Sequence, residues 1–131
     1  MNIDNNLLDQ LTLQAKKSPR LRANLDLRNS IDDTSQRMLN AIEPGSVIPV
    51  HRHQKTSETI VVLRGCVIEE FYNDEYLCLA TYEVSPLGNL CALNIPAGQW
   101  HTLRALESGT VILEMKDGAY EPVIPEDVLK K

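Results

Sequence analysis

Two histidines and a glutamate lie within eight residues of this chain, in the stretch HRHQKTSE at positions 51–58. Side chains two positions apart on a strand project from the same face, so His51 and His53 would point the same way. A strand that begins at Glu58 and runs antiparallel to theirs would bring its carboxylate beside them. Two imidazole nitrogens and one carboxylate oxygen suit zinc or another divalent first-row metal.

The third and last histidine of the chain, His101, follows a turn predicted at PAG, positions 96–98. If its strand lies opposite His51 and His53 inside a barrel, the site contains three histidines and one carboxylate, with further coordination positions open to water or ligand. An exposed HxH pair on a surface strand is the alternative. All three histidines fit one arrangement with Glu58, which favours a metal site.

The elements around these residues are mostly short strands. A helix is predicted after Asp4, with Leu7, Leu8, Leu11 and Ala15 on one face and Pro19 as its stop. The tail from position 117 on is predicted to be an ordered strap or a short terminal helix. Strands punctuated by turns at this density predict an all-β antiparallel barrel or jelly roll. The predicted strands are 22–27, 36–42, 47–52, 58–64, 66–72, 76–84, 90–95, 101–105 and 111–116.

Composition limits the class of protein. With 131 residues, 43% of them hydrophobic, the chain predicts one domain with its own core, in which a helical arm (1–20) joins a barrel (21–131) as one structural unit. The net charge of −5 argues against non-specific nucleic-acid binding. No apolar run reaches the roughly 18 residues of a membrane span, and no secretory signal opens the chain. Three cysteines without CxxC spacing predict free thiols and a cytoplasmic location.

The spacing of these residues resembles the cupin signatures. The first signature is complete: Gly45, five residues, His51 and His53, four residues, Glu58, six residues, and Gly65. The second matches at PAG-QW-His101, while Gly88 stands two positions early and Ala105 replaces the terminal asparagine. The resemblance implies a jelly-roll barrel with His51, His53, Glu58 and His101 as metal ligands in its mouth. Neither departure falls on a ligand position.

A narrower resemblance covers nearly the whole chain. It points to the WbuC-type cupin-fold metalloproteins, which are bacterial and often encoded among genes for surface-polysaccharide synthesis. The stretches that carry the resemblance are SPRLRANLDL (18–27), QRMLNAIEPG (36–45), VLRG (62–65), PAGQWHT (96–102) and LEMKDGAY (113–120).

Four further residues are candidates for substrate binding. Arg22 and Asn24 alternate on one face of the first predicted strand, and Arg37 lies on the next. Arginine's planar fork suits carboxylates and phosphates. Trp100 precedes His101 and either packs beside the site or stacks on a ligand. For Arg22 and Asn24 the alternative is a solvated face or a dimer contact.

The residues leave several functions open. One divalent transition metal (Zn, Fe, Mn or Ni) would support isomerisation or hydrolysis if it is zinc, and oxygen chemistry if it is iron or manganese. No histidine is left for acid–base work, so any general base is a carboxylate, a tyrosine, a lysine or metal-bound hydroxide. We expect an isomerase- or epimerase-like enzyme that binds a small sugar or sugar-nucleotide intermediate in the barrel mouth. The alternatives are a dioxygenase, a non-catalytic saccharide or carboxylate binding module, and a purely structural metal. A homodimer is also expected.

Overall fold

The computed structural model describes all residues, 1–131. Its only α-helix, α1, runs from Asn5 to Lys17 and agrees with the predicted helix. The Asp4 side chain accepts a hydrogen bond from the Leu7 amide at 3.0 Å, which caps the first turn. Lys16 and Lys17 lie in the last turn, where positive charge favours the helix dipole.

Eight strands follow, and they form two antiparallel sheets. The first sheet has the order β1-β2-β8-β3-β6, and the second has the order β5-β4-β7. Apart from β1 and β2, neighbours in the first sheet are distant in sequence, since β8 lies between β2 and β3. The strands are β1 Arg22–Asp26, β2 Ser35–Ile42, β3 Glu58–Arg64, β4 Val67–Tyr72, β5 Cys78–Val84, β6 Ala92–Ile95, β7 Trp100–Ala105 and β8 Thr110–Asp117.

The main core lies between the two sheets. Ile42, Ile60 and Ile112 from the first sheet pack with Val67 and Val84 from the second, and all are nearly or fully buried. A second core lies on the outer face of the first sheet, where α1 covers it. It contains Leu8, Leu11, Ala15, Leu39, Ala41 and Val111. The first sheet is therefore covered on both faces, by α1 outside and by the second sheet inside.

One predicted strand, 47–52, is not formed. This segment contains no regular strand, and only His51 makes isolated bridges, to His101 and to Val128. Pro49 has no amide hydrogen to donate to a strand ladder, which explains why extended pairing does not continue through it. His51 therefore pairs with β7 and the chain's end, and not with the strand that begins at Glu58.

The C-terminal strap, residues 118–131, returns along this irregular segment. The Arg52 amide donates to the Asp127 carbonyl at 3.0 Å, and the Leu129 amide donates to the Val50 carbonyl at 2.8 Å. A single 3-10 turn, Pro125–Asp127, is its only helical element. Of the two alternatives predicted for the tail, the structure shows the ordered strap. No helix of the chain has the length and apolar character needed to cross a bilayer.

Candidate metal centre

His51 and His101 face each other across a short antiparallel bridge. The His51 amide donates to the His101 carbonyl over 3.0 Å, and the His101 amide donates back over 2.8 Å. Residues paired in this way carry their side chains on the same face, and the two ring centroids lie 4.4 Å apart. Backbone pairing therefore brings together two histidines that lie 50 residues apart in the sequence.

His53 is held by the turn that precedes His101. Its carbonyl accepts a hydrogen bond from the Gly98 amide at 2.8 Å, and Gly98 has a φ of +83°, which glycine adopts readily. The His53 ring lies 5.1 Å from that of His51 and 5.9 Å from that of His101, between centroids. The PAG turn thus positions two histidines at once.

The three rings form a cluster able to hold a divalent metal. One nitrogen from each ring lies within 4.8 Å of the others. Glu58, the first residue of β3, places its Oε2 3.3 Å from His101 Nε2 and 3.8 Å from His53 Nε2. Ligand atoms around a tetrahedral zinc ion, each about 2.0–2.1 Å from it, are roughly 3.3 Å apart.

Backbone carbonyls fix the orientation of two imidazoles. His51 Nδ1 lies 2.9 Å from the Pro49 carbonyl, and His101 Nδ1 lies 2.9 Å from the Gln99 carbonyl. A carbonyl oxygen only accepts, so each Nδ1 carries the hydrogen and each Nε2 keeps a lone pair in the neutral ring. Metal-binding histidines are commonly oriented in this way.

This assignment leaves an electrostatic conflict that a cation would resolve. The lone pair of His101 Nε2 faces Glu58 Oε2, and two acceptors at 3.3 Å repel each other. Glu58 Oε2 is buried and has no hydrogen-bond partner. Buried polar atoms are nearly always paired, so this oxygen is matched to a partner supplied from outside the chain. The donor set and its surroundings fit a divalent metal.

Burial keeps the histidines in their ligand form. Desolvation is the main cause that lowers the pKa of His51 to about 4, and nearby His101 adds to it. Desolvation, followed by the charge of Lys116, lowers the pKa of His53. Both rings are neutral at pH 7, as metal ligation requires.

Glu58 is ionised despite its burial. Desolvation raises its pKa, but the positive charge of the Lys116 ammonium counters that effect and favours the carboxylate. Lys116 lies directly opposite Glu58 in the β3–β8 pairing. The site therefore offers neutral nitrogens and one carboxylate oxygen.

A cavity of about 870 Å³ adjoins these side chains. The four candidate ligands are among its lining residues, together with the inward-facing side chains of β1, β2 and β8. The strap from Gly118 to Ile124 forms another part of its wall. We call this space the barrel cavity, and its volume leaves room for a small molecule beside the cluster.

The structure brings two of the four predicted substrate residues to the barrel cavity. Arg22 and Asn24 line it, and Arg22 Nη1 donates to the Val47 carbonyl at 2.8 Å. Arg37 lies outside, where its guanidinium donates to the Leu27 and Ser35 carbonyls. Trp100 is buried and does not line the cavity. Its Nε1 donates to Asp74 at 2.7 Å, and the Arg52 guanidinium lies 4.3 Å from its ring centroid.

Three charged residues inside the barrel were missed in the sequence. Glu69 on β4, and Glu114 and Lys116 on β8, all line the barrel cavity. Burial, followed by nearby Glu58, raises the pKa of Glu114, whose Oε1 accepts a hydrogen bond from Asn40 at 2.7 Å. The strand pattern could have indicated their inward direction, because each of these residues is an even number of positions from a buried core residue of its own strand.

Several known structures have the same architecture. KdgF from Halomonas sp. has a TM-score of 0.62 at 16% identity, over 79% of this chain and 84% of that one. The capsular polysaccharide assembling protein CapF from Staphylococcus aureus has a TM-score of 0.68 at 22% identity, over 80% of this chain. Oxalate oxidase with the substrate analogue glycolate has a TM-score of 0.62 at 14% identity, over 82% of this chain.

These likenesses confirm the predicted fold, a single cupin jelly-roll domain. This chain spans 28% of the length of CapF and 56% of that of oxalate oxidase. No protein of curated function matches its sequence. The family model described as a domain of unknown function, DUF6016, matches residues 3–83, more than half of the chain. The chain therefore belongs to the DUF6016 family.

Proposed function

We propose that this protein binds one divalent transition metal, Zn, Fe, Mn or Ni, through His51, His53, His101 and Glu58. The observation that carries the proposal is the unpartnered Oε2 of buried Glu58, which faces the lone pair of His101 Nε2. A polar cluster without a metal would place a hydrogen-bond donor there. The Nδ1 hydrogen bonds of His51 and His101 support the same assignment.

The ligand assignment is tested by substitution of His51 by Ala. We expect this variant to lose most of its metal, measured by elemental analysis of purified protein, because one of four ligands is removed. Lys55→Ala is the matched control, since Lys55 lies in the loop between His53 and Glu58 with its side chain 78% exposed. Metal content equal to wild type in the His51 variant would refute the assignment.

We further propose that the barrel cavity receives a small polar substrate, a sugar or sugar-nucleotide intermediate of bacterial surface-polysaccharide synthesis. The cavity walls carry the amides of Asn24 and Asn40 and the guanidinium of Arg22 beside the metal cluster. Such groups hydrogen-bond hydroxyls and anionic oxygens. The resemblance to WbuC-type proteins and the role of CapF in capsular polysaccharide assembly point to the same substrate class.

An isomerase- or epimerase-like reaction suits this cavity. A bound divalent metal would act as a Lewis acid on a substrate oxygen. The chain's own groups would handle protons, and all three histidines are already in the metal cluster. Lys116 Nζ and Glu114 Oε2 lie 3.8 Å apart in the cavity, and they are the pair best placed to exchange a proton with a substrate.

A non-catalytic binding module is the second candidate, and the absence of a histidine outside the metal cluster favours it. Incubation of metal-loaded protein with a panel of nucleotide sugars, followed by chromatography of the products, separates the two. Conversion that disappears in the Lys116→Met variant supports the enzyme, whereas saturable binding without conversion supports the module. Oxygen uptake during the same incubations would instead indicate a dioxygenase. A homodimer and a cytoplasmic location stay predictions.

A further inference from the structure

Glu69 occupies a core position in the middle of β4. It lies between Leu103 of β7 and Tyr82 of β5 in the second sheet, and it shares the inward phase of the strand with Val67. The residue is fully buried. A leucine or methionine would be the ordinary occupant of such a position.

Both carboxyl oxygens of Glu69 lack a hydrogen-bond partner within the chain. The side chain lines the barrel cavity, as do His51, His101 and Glu58. An unpaired polar group in a protein interior is unfavourable, and native structures pair nearly all of them. Because packing does not supply the partner, the cavity's contents must supply it.

In the metal-free protein, burial and nearby carboxylates favour the uncharged form of Glu69. Burial is the main cause that raises its pKa to about 9, and Glu58 of β3, Glu114 of β8 and Glu70 of its own strand add to it. Its two cross-strand neighbours, Leu103 and Tyr82, carry no compensating positive charge. A neutral carboxyl group offers one O–H donor and one carbonyl acceptor, which together complement a hydroxyl group.

We propose that Glu69 is a ligand-binding residue of the barrel cavity that hydrogen-bonds a hydroxyl group of a polyhydroxylated ligand. The inference rests on the proposed function, because it takes the ligand to be a sugar or sugar nucleotide held beside the metal cluster. It adds a binding group on β4, in the second sheet. The predicted substrate residues Arg22 and Asn24 approach from β1, in the first sheet.

Three variants test the proposal. Glu69→Met fills the position with an apolar side chain of similar length, and Glu69→Gln keeps one donor group and one acceptor. Glu83→Gln is the matched control, since Glu83 is exposed on the neighbouring strand β5 and does not line the barrel cavity. Each metal-loaded protein is titrated with UDP-glucose by calorimetry, its metal content is measured, and its thermal unfolding midpoint is recorded.

We expect the methionine variant to unfold a few degrees higher than wild type, because an unpaired buried carboxyl group is removed. Its metal content stays unchanged, while its affinity for UDP-glucose falls at least about tenfold. The glutamine variant keeps its affinity within about threefold, and the control matches wild type in all three measurements. The Glu69 carboxyl group would thus be needed for ligand binding and unfavourable for the stability of the folded protein.

Two results would overturn the inference. One is a methionine variant that binds UDP-glucose like wild type. The other is a methionine variant that unfolds below wild type or does not fold, since Glu69 would then have a structural partner. If wild type itself binds no UDP-glucose, the sugar-nucleotide class of the proposed function fails, and the unfolding midpoint of Glu69→Met alone decides whether Glu69 is an open binding position.

Discussion

The chemistry of the cluster depends on which ring nitrogen of each histidine is free. The Pro49 and Gln99 carbonyls hold the Nδ1 hydrogens of His51 and His101, so each Nε2 is left with its lone pair. The spacing HxH predicts residue types and a shared direction, but not this orientation. It arises from carbonyls two residues before each histidine, whose direction depends on an irregular backbone that strand periodicity does not describe.

His51 provides a pH-dependent prediction. Its pKa is lowered to about 4 by burial, from an ordinary value of 6.5, so its contribution to stability is present above pH 6.5. That contribution is lost as pH falls toward 4, by up to roughly 1.4 kcal/mol per pH unit, because the unfolded chain binds the proton first. In metal-free protein, we expect the NMR resonances of the His51 ring to stay constant from pH 7 to 5. Titration of this ring near pH 6.5 would contradict the assignment.

The alternation of polar and apolar residues in the sequence predicts most of the strands of the fold. The predicted α1 and β3 agree with the structure almost residue for residue, because capping residues and clear alternation mark them. The predicted strand 47–52 is wrong. Its polar and apolar residues alternate regularly, but Pro49 lacks the amide hydrogen that a ladder of interstrand hydrogen bonds needs. Turn glycines are the other reliable signal, and two of them allow a direct comparison.

Substitution of Gly65 and of Gly98 by Ala is expected to lower the free energy of unfolding by different amounts. Both have a positive φ, +85° and +83°, so each substitution strains the backbone by about 1 kcal/mol. A Cβ at Gly65 would also approach the buried Thr110 Cα to 2.7 Å, whereas a Cβ at Gly98 meets nothing within 4 Å. We expect Gly65→Ala to lower the free energy of unfolding by about 3 kcal/mol or more, and Gly98→Ala by about 1 kcal/mol. Equal losses in urea denaturation would show that the contact with Thr110 is relieved without penalty.

For the whole molecule, the class of fold is predictable and the contents of its interior are not. Turn density indicates a jelly roll, but β8 pairs with both β2 and β3, and no local pattern encodes that order. Glu69 and Glu114 come from two strands, β4 and β8, and neither is close to the histidine motifs in the sequence. Only the closed barrel brings them to one cavity with Glu58, which is why the sequence predicted the histidines and Glu58 but not these two carboxyl groups.

The proposed ligands belong to both halves of the barrel, so metal removal is expected to affect global stability. Glu58 lies on β3 of the first sheet and His101 on β7 of the second. A ligand present at about 1,000 times its dissociation constant stabilises the folded state by about 4 kcal/mol. We expect dialysis against a chelator to lower the thermal unfolding midpoint of wild type and to leave that of His51→Ala unchanged. Identical midpoints for wild type before and after dialysis would contradict a metal shared between the sheets.

The bridge between His51 and Val128 has a practical consequence for the handling of the protein. Lys131 follows Val128 by only three residues, so a tag attached after Lys131 begins close to the metal cluster. An oligohistidine tag placed there would add further imidazoles beside the site. These imidazoles would compete with His51, His53 and His101 for the metal ion. The opposite end is better suited, because α1 packs on the outer face of the first sheet, away from the barrel cavity. A purification handle before Met1 keeps the native metal content interpretable.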